Sequence, residues 1–313
     1  MTSTLASRLT IVLLTYNSAG WIERTLEHLT ALKVPIIAVD NGSSDATVRI
    51  IRTFPGISII SLAANIGAAA RNEGVRAAIT AYIAFCDDDV WWDQEGLEIA
   101  ATLMDMHPKL GVVNARILVN EDERIDPISR IMAASPLIDK AGIPGKVLMG
   151  FMAGASVVRR AAFLQVHGYN SKFFIGGEEE AVAWELADKG WEMRYIEDVT
   201  AYHYPSMQNA PYLQHYGFRN TIWTTWLHRP FPAALSWTWY VIKSSHKNAA
   251  FIKGLLMVVP GIPWIIRTRK VVSPEVENQI AMLDVDKKVG PDARRYCTPV
   301  QSTKVGTLQK NRR

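Results

Sequence analysis

The chain has 313 residues, of which 49% are hydrophobic and 20% charged, and its formal net charge is +4. It is too apolar for a disordered chain and not apolar enough for a polytopic membrane protein, so it fits one large domain or a domain with an appendage. Only two cysteines occur, Cys86 and Cys297, without metal-site spacing; no disulfide framework is implied, and the short polar stretch before the first apolar run lacks a signal-cleavage pattern, so a cytoplasmic protein is expected.

Residues 9–15 form a continuous apolar run, a strand candidate, and Trp21, Ile22, Leu26 and Leu29 then recur at helical spacing. A second strand is predicted over 35–40, followed by a helix carrying Val48, Ile51 and Phe54. A third strand covers 57–62, a helix 68–79 and a fourth strand 82–86. Strands apolar throughout, separated by amphipathic helices, argue for a doubly wound, mostly parallel α/β sheet covered on both faces. Ligands of such sheets sit beyond the carboxyl ends of the strands. Residues 117–147 read as a loop-rich connection punctuated by Pro127, Pro136, Gly142, Pro144 and Gly145. A strand over 153–158, a helix over 178–189 and strand material over 193–204 follow. Beyond residue 207 the chain becomes aromatic-rich and helical. The apolar segments 231–242 and 255–266 are each shorter than the roughly 20 residues of a bilayer span. The expected organisation is a domain over 1–206, a helical extension over 207–288 and a basic, disordered tail over 289–313.

The loop after the first strand, Thr15-Tyr16-Asn17-Ser18, lacks the glycine-rich turn of a dinucleotide site. Tyr16 can pack on a base or ribose, whereas Asn17 or Ser18 can instead cap the next helix. Asp40, opening Asp40-Asn41-Gly42-Ser43-Ser44-Asp45, can accept hydrogen bonds from a base or ribose, although Asn-Gly is also an ordinary turn and Ser44 a plausible cap. Small residues after Asn65 permit close backbone approach, and Arg71 offers planar donors to a base carbonyl or phosphate, or is an ordinary surface arginine. Asp87-Asp88-Asp89 ends the fourth strand, and three adjacent carboxylates there call for a cation; Mg²⁺ or Mn²⁺ is the natural partner, the alternative being a solvated acidic loop. Were the chain extended there, Asp87 and Asp89 would share a face. Glu178-Glu179-Glu180 opens a helix, where acidic residues favour the dipole or supply a general base. His203 is a packed histidine or a nitrogen ligand for the metal.

Taken in order over residues 8–206, these stretches resemble the family-2 inverting glycosyltransferases of the GT-A fold, in particular bacterial envelope, rhamnosyltransferase-like members. The resemblance implies a nucleotide-sugar donor with UDP or dTDP, and a saccharide or lipid-linked acceptor. It places Thr15, Tyr16, Asn17, Asp40, Asn65, Arg71, Asp87 and Asp88 at the donor. It gives the metal to Asp89 with Asp87 and His203, and the general base to Glu179. The family usually has Asp at that position, so Glu178 and Glu180 remain alternatives. The stretch 150–160 resembles an acceptor-side strand.

Trp237, Trp239, Trp264 and their basic flanks fit interfacial helices at the inner face of the cell membrane, or equally a helical subdomain or oligomer interface. A sugar-phosphate nucleotidyltransferase and a non-catalytic nucleotide-sugar-binding homologue are the alternative functions. Nucleic acid is not an expected partner, because the basic residues gather in a tail rather than a recognisable module.

Overall fold

Three buried strands run side by side in parallel because each is apolar on both faces, and a fourth, partly exposed parallel strand forms the edge beside them. The computed structural model describes residues 4–205, 213–245 and 247–289. A short helix α1 (Leu5–Arg8) leads into β1 (Leu9–Thr15), followed by α2 (Ile22–Ala31), β2 (Ile36–Asp40), α3 (Thr47–Ile51), β3 (Ile57–Ser61), α4 (Arg71–Ala77) and β4 (Tyr82–Asp87). Then come β5 (Val90–Trp92), α5 (Gln94–Met106), β6 (Leu110–Val119), β7 (Arg124–Ile125), α6 (Pro127–Ala133), β8 (Lys146–Val147), β9 (Ser156–Arg159), α7 (Arg160–Gln165), α8 (Glu178–Asp188) and β10 (Glu192–His203). The order along the sheet is β3-β2-β1-β4-β9-β6-β10-β5, with β7 beside β6 and β8 beside β10. β9 runs antiparallel to both of its neighbours, and β6 and β10 are parallel to each other. This is the mostly parallel α/β sheet expected from the sequence.

Register sets the functional edge. Thr15 pairs with Asp40, Asp40 with Ser61, and Leu14 with Asp87, so the ends of four strands lie together. β5 turns back antiparallel beside the end of β10 and pairs Val90 with His203. That pairing carries His203 to Asp89, which it is far from in sequence.

Several expectations need correction. Residues 117–147 are loop-rich as read, but they also hold the end of β6, a helix and two short strands, because β6 continues as a buried strand to Val119. The helix over 68–79 begins as a 3₁₀ turn, Gly67–Ala70, whose four residues are all buried. Phe54 lies beyond α3, which ends at Ile51. Neither Asn17 nor Ser18 caps α2 through its side chain, and at α3 it is Asp45, not Ser44, that accepts the Thr47 N–H, at 3.0 Å.

The remaining helices are α9 (Gln214–His228), α10 (Phe231–Ser244), α11 (Ala249–Val258), α12 (Ile262–Thr268) and α13 (Pro274–Val289). α10, α11 and α12 all pack on α9. α13 returns to the sheet, where Val276 and Ile280 join the same core as Ala183 and Leu186 of α8. A 3₁₀ turn joins α11 to α12, giving one helical run, Ala249–Thr268, of 20 residues, whose most apolar stretch has mean hydropathy 1.9. By length and composition it is long enough to cross a membrane, unlike the shorter segment read from the sequence. The tail expected to be disordered lies, apart from Val289, outside the described residues.

Candidate functional site

The loop after β1 is tied to the loop after β2. Asn17 adopts a left-handed conformation (φ 51°), its Oδ1 accepts the Ser44 N–H at 2.8 Å, and its own N–H donates to Ser43 Oγ at 2.9 Å. Thr15 is buried and bonded to the Ser18 hydroxyl. Asp40 is also buried, with both carboxylate oxygens 3.3 Å from the Ser43 N–H. Tyr16 projects outward, 41% exposed. Asn65 braces the next loop: its Oδ1 accepts the Gly67 N–H at 2.9 Å and the Asn41 amide at 3.0 Å.

The three aspartates point to three different partners. Asp87, the last residue of β4, is paired with the buried guanidinium of Arg71. Asp88 turns back towards α2, accepting from Trp21 Nε1 at 3.2 Å and from the Tyr16 N–H at 3.3 Å. Burial, then the neighbouring Asp89 charge, raises its carboxyl to about 6. Asp89 lies 3.6 Å from His203 Nε2. Burial lowers the His203 imidazole and Asp89 raises it, with a net upward shift. The chain turns at Asp88 and Asp89, so the extended alternation that would align Asp87 with Asp89 does not occur. Among the described residues no three His, Cys, Asp or Glu side chains are grouped to hold a metal ion. The donor set that does converge is the Asp89–His203 pair, and an oxygen–nitrogen pair fits a hard or borderline divalent ion that keeps water or phosphate oxygens as its other ligands.

Arg71 is buried because the small residues Gly67–Ala70 let its helix approach the sheet closely. Besides Asp87, the Tyr169, Glu178 and Glu179 side chains lie within electrostatic range of it. Glu178 is 4% exposed, and its Oε2 has no hydrogen-bond partner. Burial, reinforced by Glu179, pushes its carboxyl well above the ordinary range. Glu179 is only partly buried; burial raises its carboxyl, opposed by its own N–H, by Arg71 and by a hydrogen bond from the Ala153 N–H. The short turn Ala153–Ala155 crosses directly over Asp87: a Cβ on Gly154 would lie 2.4 Å from Asp87 Oδ2. Glu180 sits, partly buried, on the same first turn of α8.

The segment before α8 is clamped from two sides. The Ala68 N–H donates to Phe174 O at 2.7 Å, and Gly67 (φ +69°) passes so close that a Cβ there would meet the same oxygen. From the other side, the buried Asn220 of α9 donates its amide to the carbonyls of Phe173 (2.9 Å), Ile175 (3.0 Å) and Gly176 (2.6 Å). Arg219 donates to Lys172 O at 3.0 Å and Phe173 O at 2.5 Å. Sequence reasoning singled out none of Asn220, Arg219 and Tyr169 as functional, and it read Gly154 only as part of the stretch 150–160. The available signal was Arg219-Asn220 within an aromatic, otherwise buried helix, where polar side chains need partners.

A family model described as Glycosyl transferase family 2 matches residues 10–166. The chain belongs to that family. Its matched part spans β1 to α7 and so includes the loops just described, up to the Asp87–Asp89 turn. A poly-beta-1,6-N-acetyl-D-glucosamine synthase of Staphylococcus aureus is 28% identical over 203 residues, covering 60% of this chain and 47% of the synthase. The chain thus spans about half the length of that curated relative. An N-acetylglucosaminyl-diphospho-decaprenol L-rhamnosyltransferase of Mycobacterium tuberculosis is 22% identical over 236 residues, covering 63% of this chain and 76% of the relative. Among solved structures, a mannosyltransferase from Pyrobaculum calidifontis, in complex with GDP-Man and Mn²⁺, superposes with TM-score 0.57 at 16% identity, covering 93% of this chain and 84% of that one. That likeness establishes the GT-A-type fold.

Proposed function

We propose that this family-2 protein is an inverting glycosyltransferase that moves a sugar from a UDP- or dTDP-linked donor onto a hydroxyl of a saccharide or lipid-linked acceptor. The observation that carries this reading is the gathering of Glu179, the Arg71–Asp87 pair and the Asp89–His203 pair at one edge of the sheet. Tyr16, the exposed member of that edge, packs on the base or ribose above the buried Thr15 and Asp40. Asn17 and Asn65 hold the two loops in place, and Asp88 anchors the acidic turn from behind. Asp87, held by Arg71, is aimed at the ribose. Asp89 and His203 would hold a divalent ion, which supplies neutralisation of the charge on the diphosphate.

Glu179 acts as the general base because it is reachable, whereas Glu178 is buried and favours its neutral form. Its carboxylate takes the acceptor hydroxyl proton. The acceptor oxygen forms a bond to the anomeric carbon as the bond to the diphosphate oxygen breaks, and the nucleoside diphosphate leaves with that electron pair. Attack from the opposite face inverts the configuration without a covalent sugar–protein intermediate. The relatives named for a synthase and a rhamnosyltransferase support an envelope saccharide or lipid-linked acceptor. The domain reading that goes with this function is catalysis by residues 1–206, with the helices beyond bringing the protein to the cytoplasmic face of the membrane. The test is transfer from a panel of nucleotide sugars, with the anomeric configuration of the product read by NMR. An inverted product, lost in Glu179→Gln, is expected; retention of configuration or undiminished turnover in that variant would overturn the proposal.

A further inference from the structure

The helical run Ala249–Thr268 buries one side and exposes the other. On the inner side Gly254 lies against α9, where a Cβ would come 2.8 Å from His215 O, and Gly261 lies against the Trp223 ring at 2.4 Å by the same measure. Ile265 is buried beside Trp223. Trp223 Nε1 donates to Val258 O at 3.1 Å, and Arg269 reaches the carbonyls of Trp226 and Arg229. On the outer side Leu256 is 68%, Val259 61% and Ile266 71% exposed, with Ile252 one turn before them. Only 22% of the apolar window is buried, which is not the pattern of a core helix. α10 repeats the arrangement: Ala234, Trp237 and Val241 face inward, while Phe231, Leu235 and Trp239 recur every four residues on the exposed side.

Charge identifies the occupant. No Asp or Glu occurs from Val199 to Pro274, although the chain as a whole carries 30 acidic residues. Within that stretch Lys243, Lys247, Lys253, Arg267 and Lys270 are exposed around the apolar stripes. An apolar stripe with an all-basic border suits a surface that is apolar below and negative at the headgroups. A second protein copy would set these cations against themselves. A bilayer-spanning position would strip the Gly254, Gly261 and Arg269 contacts from α9.

We infer that the outer face of α11 and α12, with the exposed stripe of α10, docks this protein in the plane of an anionic phospholipid bilayer as a peripheral protein. The docking gives a physical basis to a lipid-linked acceptor, but it does not depend on catalysis and is tested apart from it. Full-length protein is sedimented with vesicles of phosphatidylcholine, with and without phosphatidylglycerol. Affinity at least about tenfold higher for the anionic vesicles is expected, reversed by high salt. Leu256→Glu with Ile266→Glu, both at exposed positions, should abolish retention while nucleotide binding persists. Lys253→Glu with Lys270→Glu should weaken it without touching the apolar stripe. Equal binding to neutral vesicles, no binding to either, or retention unchanged in both variants would overturn the inference. So would resistance to alkaline carbonate extraction, which marks a spanning helix, or a dimer in solution dispersed by Leu256→Glu in the absence of vesicle binding.

Discussion

The side-chain amide of Asn220 lies 2.6 Å from the carbonyl oxygen of Gly176, and it serves Phe173 and Ile175 as well. The residues that follow are Gly177, at φ +90°, and the three glutamates that open α8. A fully buried amide from a helix beyond the sheet therefore holds the segment that leads into α8.

Removing that amide leaves several buried carbonyls with fewer donors, which costs about 1–3 kcal/mol. Asn220→Ala should unfold earlier in denaturant. It should also lower kcat of the proposed transfer while leaving the donor KM and nucleotide affinity close to wild type. A purely structural role would lower the amount of folded protein without changing kcat per folded molecule, so kcat normalised to nucleotide-binding sites separates the two.

Glu178 and Glu179 should respond differently to amidation. Glu179→Gln removes the proposed base, and a loss of roughly 10²–10⁴ in kcat is expected. Glu178→Gln replaces a buried carboxyl that favours its neutral form, so most of the activity and a folded protein should survive. Equal losses in the two variants would place the base elsewhere.

Gly67 is held at φ +69° against the Phe174 carbonyl. In Gly67→Ala a Cβ enters that contact in a backbone conformation that favours glycine, which costs on the order of 1–3 kcal/mol. The loop before Glu178 should shift, so the variant should be less stable by denaturant titration and poorly active. A wild-type denaturation midpoint and rate would contradict this contact.

His228 is buried, with Nδ1 3.2 Å from Lys270 O and Nε2 3.7 Å from Glu185. Burial lowers its imidazole from 6.5 to about 4. Between those values the unfolded chain binds a proton that the folded one refuses. The contribution is therefore fully present above pH 6.5 and lost as the pH falls towards 4, roughly 3 kcal/mol in all. Subtracting the stability–pH curve of His228→Gln from that of wild type should show this loss; a flat difference would rule it out.

The parallel strands were legible because β1, β2 and β4 are unbroken apolar runs, and the acidic turn stood out because three adjacent carboxylates at a strand end demand an explanation. The family resemblance grouped Asp89 with His203, but the residues by themselves did not name the partners of those carboxylates, and the pairing of Asp87 with Arg71 was not legible at all. Asp87 finds Arg71 and Asp89 finds His203 through strand order and register, which local periodicity does not encode. β6 was hidden because a buried strand leading into prolines and glycines looks like the start of a loop. The length of the Ala249–Thr268 run was hidden by Pro260 and Pro263, which occupy the first turns of a 3₁₀ and an α segment, where a missing N–H is tolerated. Asn220 carried a local signal, a polar residue in an aromatic helix, but nothing nearby in the sequence named the carbonyls it binds.

The most direct measurement is calorimetric titration of UDP, dTDP and GDP into the purified protein, with and without Mn²⁺, on wild type and Asp89→Ala. Metal-dependent binding of one nucleotide, lost in Asp89→Ala, is the expected result and would place donor and ion together beside Asp89 and His203. Absence of binding by every nucleotide under both conditions, or metal-dependent binding unchanged in Asp89→Ala, would contradict the proposed site.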